Sequence, residues 1–213
     1  MTLLVLEVLL FLNTYVARQM RDDTDSVNLA GRQRMLSQRI AKAAVYLRDQ
    51  FNDSQPLNSS LAELRSSKSL FETTLATFRN GGQVEGTTPG SSVILAAVSS
   101  ESARKLLTDL ELHWQKIDPP LQRVISAKVP LREDVLDLVK QTMDHSQALT
   151  TRLNDFTNEI AAIGMARANR LLWIQAGALV GVLGLLTGMA YFLVGRLRKN
   201  DSLQIGRASC RER

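Results

Sequence analysis

Ser26-Val-Asn-Leu-Ala-Gly-Arg-Gln-Arg-Met-Leu-Ser-Gln-Arg-Ile-Ala-Lys-Ala-Ala44 holds no proline and a single glycine, and its apolar residues return at helical intervals. On a helical wheel Leu29, Leu36, Ile40, Ala43, Leu47 and Phe51 share one side, a stripe that can face a helical core. A second set, Val27, Gly31, Arg34, Gln38, Ala41 and Val45, repeats at steps of four and three on the roughly opposite side. That spacing is what a helix-helix seam requires. With both stripes covered, this helix packs on its own domain and on a second copy, so a homodimer interface through Val27, Gly31, Arg34, Gln38, Ala41 and Val45 is expected. The alternative is a solvated second face on which Arg34 and Gln38 meet water and Gly31 is incidental.

Outward from this stretch the helical reading continues. Arg18 to about Asp53 carries only Gly31 as a weak point, and Asp53-Ser54-Gln55-Pro56 reads as a stop. Ser60-Leu-Ala-Glu63 has the spacing of a capping box that opens a second helix, with Leu61, Leu64, Leu70, Phe71, Leu75 and Phe78 on one face. Asn80-Gly-Gly through Pro89-Gly90 reads as a long flexible loop. A third helical region is expected from about Ser91 to Ala127, kinked or broken at Asp118-Pro119-Pro120, because proline removes an amide donor and clashes with the preceding turn. The fourth runs from about Leu131 to Arg170 and, lacking a breaker, continues into the apolar segment beyond it. No run with a period of two bounded by turn signals is apparent, which speaks against a sheet-based sensor fold.

The ends are apolar although the mean hydropathy of the chain is near zero, at -0.06. Leu171 to Val194 is 24 residues without a charge, succeeded at once by Arg196, Arg198 and Lys199. At about 1.5 Å per residue it reaches roughly 36 Å, enough to cross a hydrocarbon core of about 30 Å with some tilt. The basic cluster marks the cytoplasmic end, and Trp173 and Tyr191 suit the two interfaces. Met1 to Ala17 is shorter, with Glu7 in its middle. It reads as a cleaved signal peptide, an intact short span, or a span that starts upstream of Met1; without a basic n-region or a small-x-small cleavage site, a genuine span is the preferred reading. The domains expected are therefore a transmembrane helix at 1-17, a periplasmic sensor region at 18-170, a second transmembrane helix at 171-194 and the start of a cytoplasmic region at 195-204. The string Ile205-Gly-Arg-Ala-Ser-Cys-Arg-Glu-Arg213 resembles the translation of a sequencing-library adapter, so 205-213, with the only cysteine, is expected not to be native.

The 213 residues carry a formal net charge of +5. Between Arg18 and Arg170 there are 20 basic and 18 acidic residues, too even a balance for a nucleic-acid partner. His113 and His145 have no cysteine or paired acid at ligand spacing, so no metal or cofactor is expected. No nucleophile, base and orienting residue form a recognisable set, so the chain as given reads as non-enzymatic. The fold class expected is all-α: an antiparallel periplasmic four-helix bundle, continuous with two transmembrane helices.

Glycine costs a helix interior about 1 kcal/mol relative to alanine. Gly31 is thus better explained where backbones approach or a ligand needs room. Arg34, one turn on, cannot shed its proton. A two-fold axis along the seam would set it against its own copy, at a cost on the order of 2 kcal/mol for a separation of about 7 Å and an effective dielectric near 20. A small anion between the two guanidiniums removes that repulsion.

Val27-Asn28-Leu29-Ala30-Gly31-Arg32-Gln33-Arg34-Met35-Leu36-Ser37-Gln38-Arg39-Ile40 resembles the opening motif of the type IV pilus methyl-accepting transducer N-terminal domain, the PilJ family. That domain is similar to the sensor region of the nitrate/nitrite sensor histidine kinases, whose P-box has the pattern Asn-x-Ala-Gly-x-x-Arg-Met-x-Ser-x-Arg. Here Asn28, Ala30, Gly31, Arg34, Met35, Ser37 and Arg39 match it. The resemblance implies that Arg34 holds a nitrate-like anion at the dimer interface with backbone near Gly31 contributing, and it places Asn28 and Met35 in the same ligand site. Arg32-Gln33 is more polar than the small apolar pair usual in the nitrate sensors. Trp114 takes a plausible third-helix position.

The motif and the apolar ends together point to a sensory and membrane-embedded part of a bacterial inner-membrane receptor. An output module would lie beyond Lys199-Asn200-Asp201: a histidine kinase, a diguanylate cyclase or a chemotaxis signalling domain, in that order, with a response regulator as a further partner. The rival is a membrane-tethered helical scaffold in which the domain only dimerises and Arg34 pairs with an acid.

Overall fold

Long runs of leucine, alanine and unbranched polar residues leave the helix as the cheapest backbone for most of this chain, and apart from Pro119 and Pro120 its prolines lie between helices. The computed structural model describes residues 2–88 and 90–209, with the side chains of 2–6, 8, 9 and 197–209 outside the description. The element order is α1 (Thr2–Asn52), α2 (Asn58–Asn80), β1 (Gly82–Glu85), β2 (Ser92–Leu95), α3 (Glu101–Ser126) and α4 (Arg132–Ser209). The chain divides into two units, Arg18–Met165 and a second made of Met1–Ala17 with Ala166–Arg213.

In the unit Arg18–Met165, all four helices feed one apolar core. Leu29, Leu36, Ile40 and Leu47 enter it from α1, Leu64, Phe71 and Phe78 from α2, Leu107, Leu110 and Leu121 from α3, and Leu138, Leu149 and Phe156 from α4. Both stripes read from the sequence for α1 and α2 are thus the core faces; Phe51 and Leu70 are partly buried at its margin. Aromatic pairs close two of the joints. The Phe78 and Phe156 rings meet edge to face at 5.1 Å between centroids, and Phe71 lies 4.3 Å from Trp114. Trp114 is on α3, and its indole nitrogen donates to Glu72 at 3.2 Å.

Four local expectations are corrected. The loop after α2 contains an antiparallel hairpin, β1 with β2, in the register Gly82↔Leu95, Gln83↔Ile94, Val84↔Val93 and Glu85↔Ser92. Strands of four residues are too short for periodicity to reveal them. What holds them is tertiary: Val84 and Leu95 are core residues. The third helix accordingly starts at Glu101, not near Ser91. It is not broken at its prolines, since α3 runs through Pro119 and Pro120 to Ser126. The carbonyls that lose their amide partners belong to Gln115 and Lys116, both exposed, so water satisfies them while Pro120 and Leu121 are buried. The Ser60–Glu63 capping box does not form. The helix begins earlier, at Asn58; Ser60 donates to Gln50 at 2.7 Å and Glu63 accepts from Arg39, so both residues serve the α1–α2 contact.

The other unit is described by itself. Thr2 to Ala17 is helical, with Leu10, Phe11 and Tyr15 exposed and Val16 buried; several side chains of the expected first span lie outside the described residues. In α4 the segment from Leu172 to Val194 is apolar, and none of its most apolar window is buried in the protein. Among the described residues this is the one helix long and apolar enough to cross a membrane. Gly177, Gly181, Gly184 and Gly188 all present open space to an added Cβ. The adapter-like string ends in residues 210–213, outside the described residues.

Candidate ligand site on the first helix

Asn28, Gly31, Arg34 and Met35 stand within two turns of α1, at helical steps that put them on its outer side. Asn28, Arg34 and Met35 are exposed, and Gly31 is half-buried. The Arg34 guanidinium donates to Asn154 Oδ1 on α4 at 3.1 Å. Its backbone carbonyl accepts from Ser37 at 2.9 Å. This cation is therefore bonded to a neutral amide, which leaves its charge uncompensated at that contact, unlike Arg39, Arg79 and Arg123, which all bridge to acids. Of the second stripe, Val27, Gly31 and Ala41 are half-buried, as is Val45, and Arg34 and Gln38 are exposed.

Nothing lies within 4 Å of a Cβ built on Gly31. No backbone of this chain presses on it, so the glycine leaves a notch beside Arg34. Close approach occurs instead at Gly164, where an added Cβ would come within 3.3 Å of the Asp23 side chain.

The inner side of the same two turns behaves differently, and periodicity alone does not single out its key residues. Arg32 is 8% exposed. It donates to the carbonyls of Gly86 at 2.6 Å and Glu85 at 2.8 Å and to the Thr74 hydroxyl at 3.2 Å, so α1 grips the hairpin and α2 together. Burial pulls its guanidinium below the ordinary arginine value, and Glu85 opposes that shift. Gln33 is fully buried and donates to the Phe71 carbonyl at 3.3 Å. The sequence does carry one signal for it: Gln33 falls four residues after Leu29 and three before Leu36, on the core stripe itself. Among the described residues, Arg32 Nε, Gln33 Oε1 and Ser67 Oγ are buried without a hydrogen-bond partner.

On the α2–α3 side, Lys68 is buried and paired with both Glu72 and Asp118, and its ammonium lies 5.9 Å from the Trp114 ring centroid. Burial alone would lower its pKa; the hydrogen bonds it donates to the Asp118 and Glu72 carboxylates, with their charges, outweigh that and the net shift is upward. Both histidines are half-buried. Among the described residues no three groups of metal-ligating type come together.

A mainly helical core, a cation on an outer helix face beside a glycine notch, and an apolar helix long enough to cross a membrane are the features against which the family match is set. Residues 15–142 match the family of type IV pili methyl-accepting chemotaxis transducer N-terminal domains, PilJ, and the chain belongs to it. The family is one of sensory, signal-transducing domains and not of catalysts. No curated protein and no solved structure matches the chain.

Proposed function

We propose that this chain is the ligand-sensing and membrane-spanning part of a bacterial inner-membrane receptor, and that it works as a homodimer binding a small oxyanion of the nitrate or nitrite kind between two copies. The observation that carries the reading is Arg34, an exposed cation bonded to the neutral Asn154 beside the open notch of Gly31. A planar oxyanion matches a guanidinium in shape and charge, and two arginines from two copies would hold it without net repulsion. Asn28 and Met35 border the same notch. The bundle is antiparallel and periplasmic in this reading, anchored by both 1-17 and 171-194 in lipid. The glycines at 177, 181, 184 and 188 support pairing, because small residues at such spacing let membrane helices approach closely.

Binding competes with Asn154 for Arg34. An anion that draws the guanidinium outward loosens the polar link between α1 and α4 at this level, and a small shift of α4 passes along that single helix. Beyond it stands a histidine kinase, a diguanylate cyclase or a chemotaxis signalling module, with a response regulator as its partner where the output is a kinase.

Calorimetry on the full chain in lipid nanodiscs tests this. One nitrate or nitrite per dimer is expected, and Arg34→Ala abolishes the heat. Silence across nitrate, nitrite and other small oxyanions would favour the scaffold alternative.

A further inference from the structure

Methionine is ordinarily a core-filling residue, unbranched and apolar. In the unit Arg18–Met165 the reverse holds. Its four methionines, Met20, Met35, Met143 and Met165, are between 48% and 69% exposed, while the core is built mainly from leucine, phenylalanine, alanine, valine and isoleucine. The four also share a side. The Arg34–Asn154 bond marks where the outer side of α1 meets α4. Met143 and Met165 stand eleven residues before and after Asn154, about three turns each way, and so return to its side of α4. Met20 stands fourteen residues before Arg34, about four turns, and Met35 directly follows it.

These residues do not make an apolar docking patch, which must be contiguous. Met143 and Met165 are roughly 33 Å apart along α4, and exposed Gln38, Lys42, Asp144, Gln147 and Thr151 lie along the same stretches of the two helices. The arrangement offers four separate thioethers, each open to a small solute. Susceptibility of a thioether to oxidation follows its exposure.

We propose that this side of the unit is a reversible oxidation site, whose four methionines take oxygen from a two-electron oxidant of the hypohalous acid class. In each net step a sulfur–oxygen bond forms and the oxygen–chlorine bond of hypochlorous acid breaks. The thioether is oxidised by two electrons to the sulfoxide, chlorine leaves as chloride, and the proton goes to water. No sulfur of the set is in the core, so the new dipole meets water and the packing is kept. Met35 couples the step to the anion site. It follows Gly31 by four residues, the spacing at which a helical side chain leans back over the earlier one, and nothing lies within 4 Å of a Cβ built there. A sulfoxide in that notch sets a polar acceptor beside Arg34 that competes with an anion for its donors. This coupling rests on the oxyanion reading; the oxidation itself does not.

Peptide mass spectrometry on the full chain in nanodiscs, treated with graded hypochlorous acid, tests the site. Each of the four methionines should gain one oxygen at least about tenfold faster than the methionine introduced by Leu110→Met at a fully buried core position. The helical circular dichroism should stay unchanged, and methionine sulfoxide reductases for both sulfoxide epimers should restore the original mass. Calorimetry with nitrate reads the coupling: oxidation should weaken binding at least about threefold, Met35→Leu should abolish that fall, and Met143→Leu should not. If the untreated chain takes up no nitrate, the oxyanion reading fails and the sulfoxide yields alone decide this proposal. Oxidation of the four no faster than at the core position, loss of helix on their oxidation, or sulfoxides that the reductases cannot reach would overturn the site. A sulfoxide at Met35 with nitrate affinity unchanged would overturn the coupling.

Discussion

Arg32 and Arg34 stand two residues apart on α1, which places them about 200° apart around the helix. The inner arginine is nine-tenths buried and holds two hairpin carbonyls and the Thr74 hydroxyl; the outer one is exposed and holds a single amide oxygen. The same side chain therefore serves architecture on one face and availability on the other. Charge alone does not separate them. What separates them is whether protein acceptors occupy the terminal guanidinium nitrogens: both of those on Arg32 are matched inside the fold, leaving only its Nε unpartnered, whereas the exposed guanidinium keeps water that a ligand can displace.

The largest break in this contrast is Arg32→Met. Removing the grip leaves the Glu85 and Gly86 carbonyls without their donor, and about 3 kcal/mol of stability should be lost. Denaturant melts measure the loss, and hydrogen exchange should show the hairpin opening first. A change of under about 0.5 kcal/mol would place Arg32 with the surface arginines.

Next in size is the Lys68 cluster, a second buried cation, two of whose three donors are taken by carboxylates. Its pKa is raised in the fold above the ordinary lysine value. The stabilisation is therefore complete below that ordinary value and is lost as pH rises through the higher folded-state value. Melting temperatures recorded into strong alkali should fall along that course. Lys68→Met should flatten this fall and cost about 1 to 2 kcal/mol at neutral pH.

The glycines sharpen the contrast further. Gly31→Ala should stabilise the monomeric protein in dilute detergent by up to about 1 kcal/mol, since helix propensity improves and nothing is struck. In nanodiscs the same change should weaken the dimer, measured by cross-linking or sedimentation, if the notch lies at the seam. Gly164→Ala should gain nothing, because the added methyl meets Asp23. The smallest effect is that of Arg34→Ala on stability: under about 0.5 kcal/mol, as for other exposed polar contacts, although the same change should abolish the proposed oxyanion binding.

Much of the fold is legible in the sequence because helices announce themselves by period. The stripes of α1 and α2 point inward as their spacing requires, and the apolar segment of α4 is evident from composition. The motif from Val27 to Ile40 carries the family. The hairpin is not legible, since Gly82–Glu85 and Ser92–Leu95 owe their strands to Val84 and Leu95 in the core and to Arg32 across from them. Nor is the use of Ser60 and Glu63, whose spacing is that of a cap but whose partners come from α1.

The sequence by itself determined that this is a helical protein, which faces of its first two helices turn inward, and which segment is apolar enough for lipid. These properties depend on neighbours three or four residues apart, and such distances are written in the chain. Only the tertiary structure decided that Arg32 is a clamp, that Arg34 meets Asn154, and that α3 survives its two prolines. Each of these depends on how the core packs, which brings together residues that the local pattern of the chain does not connect.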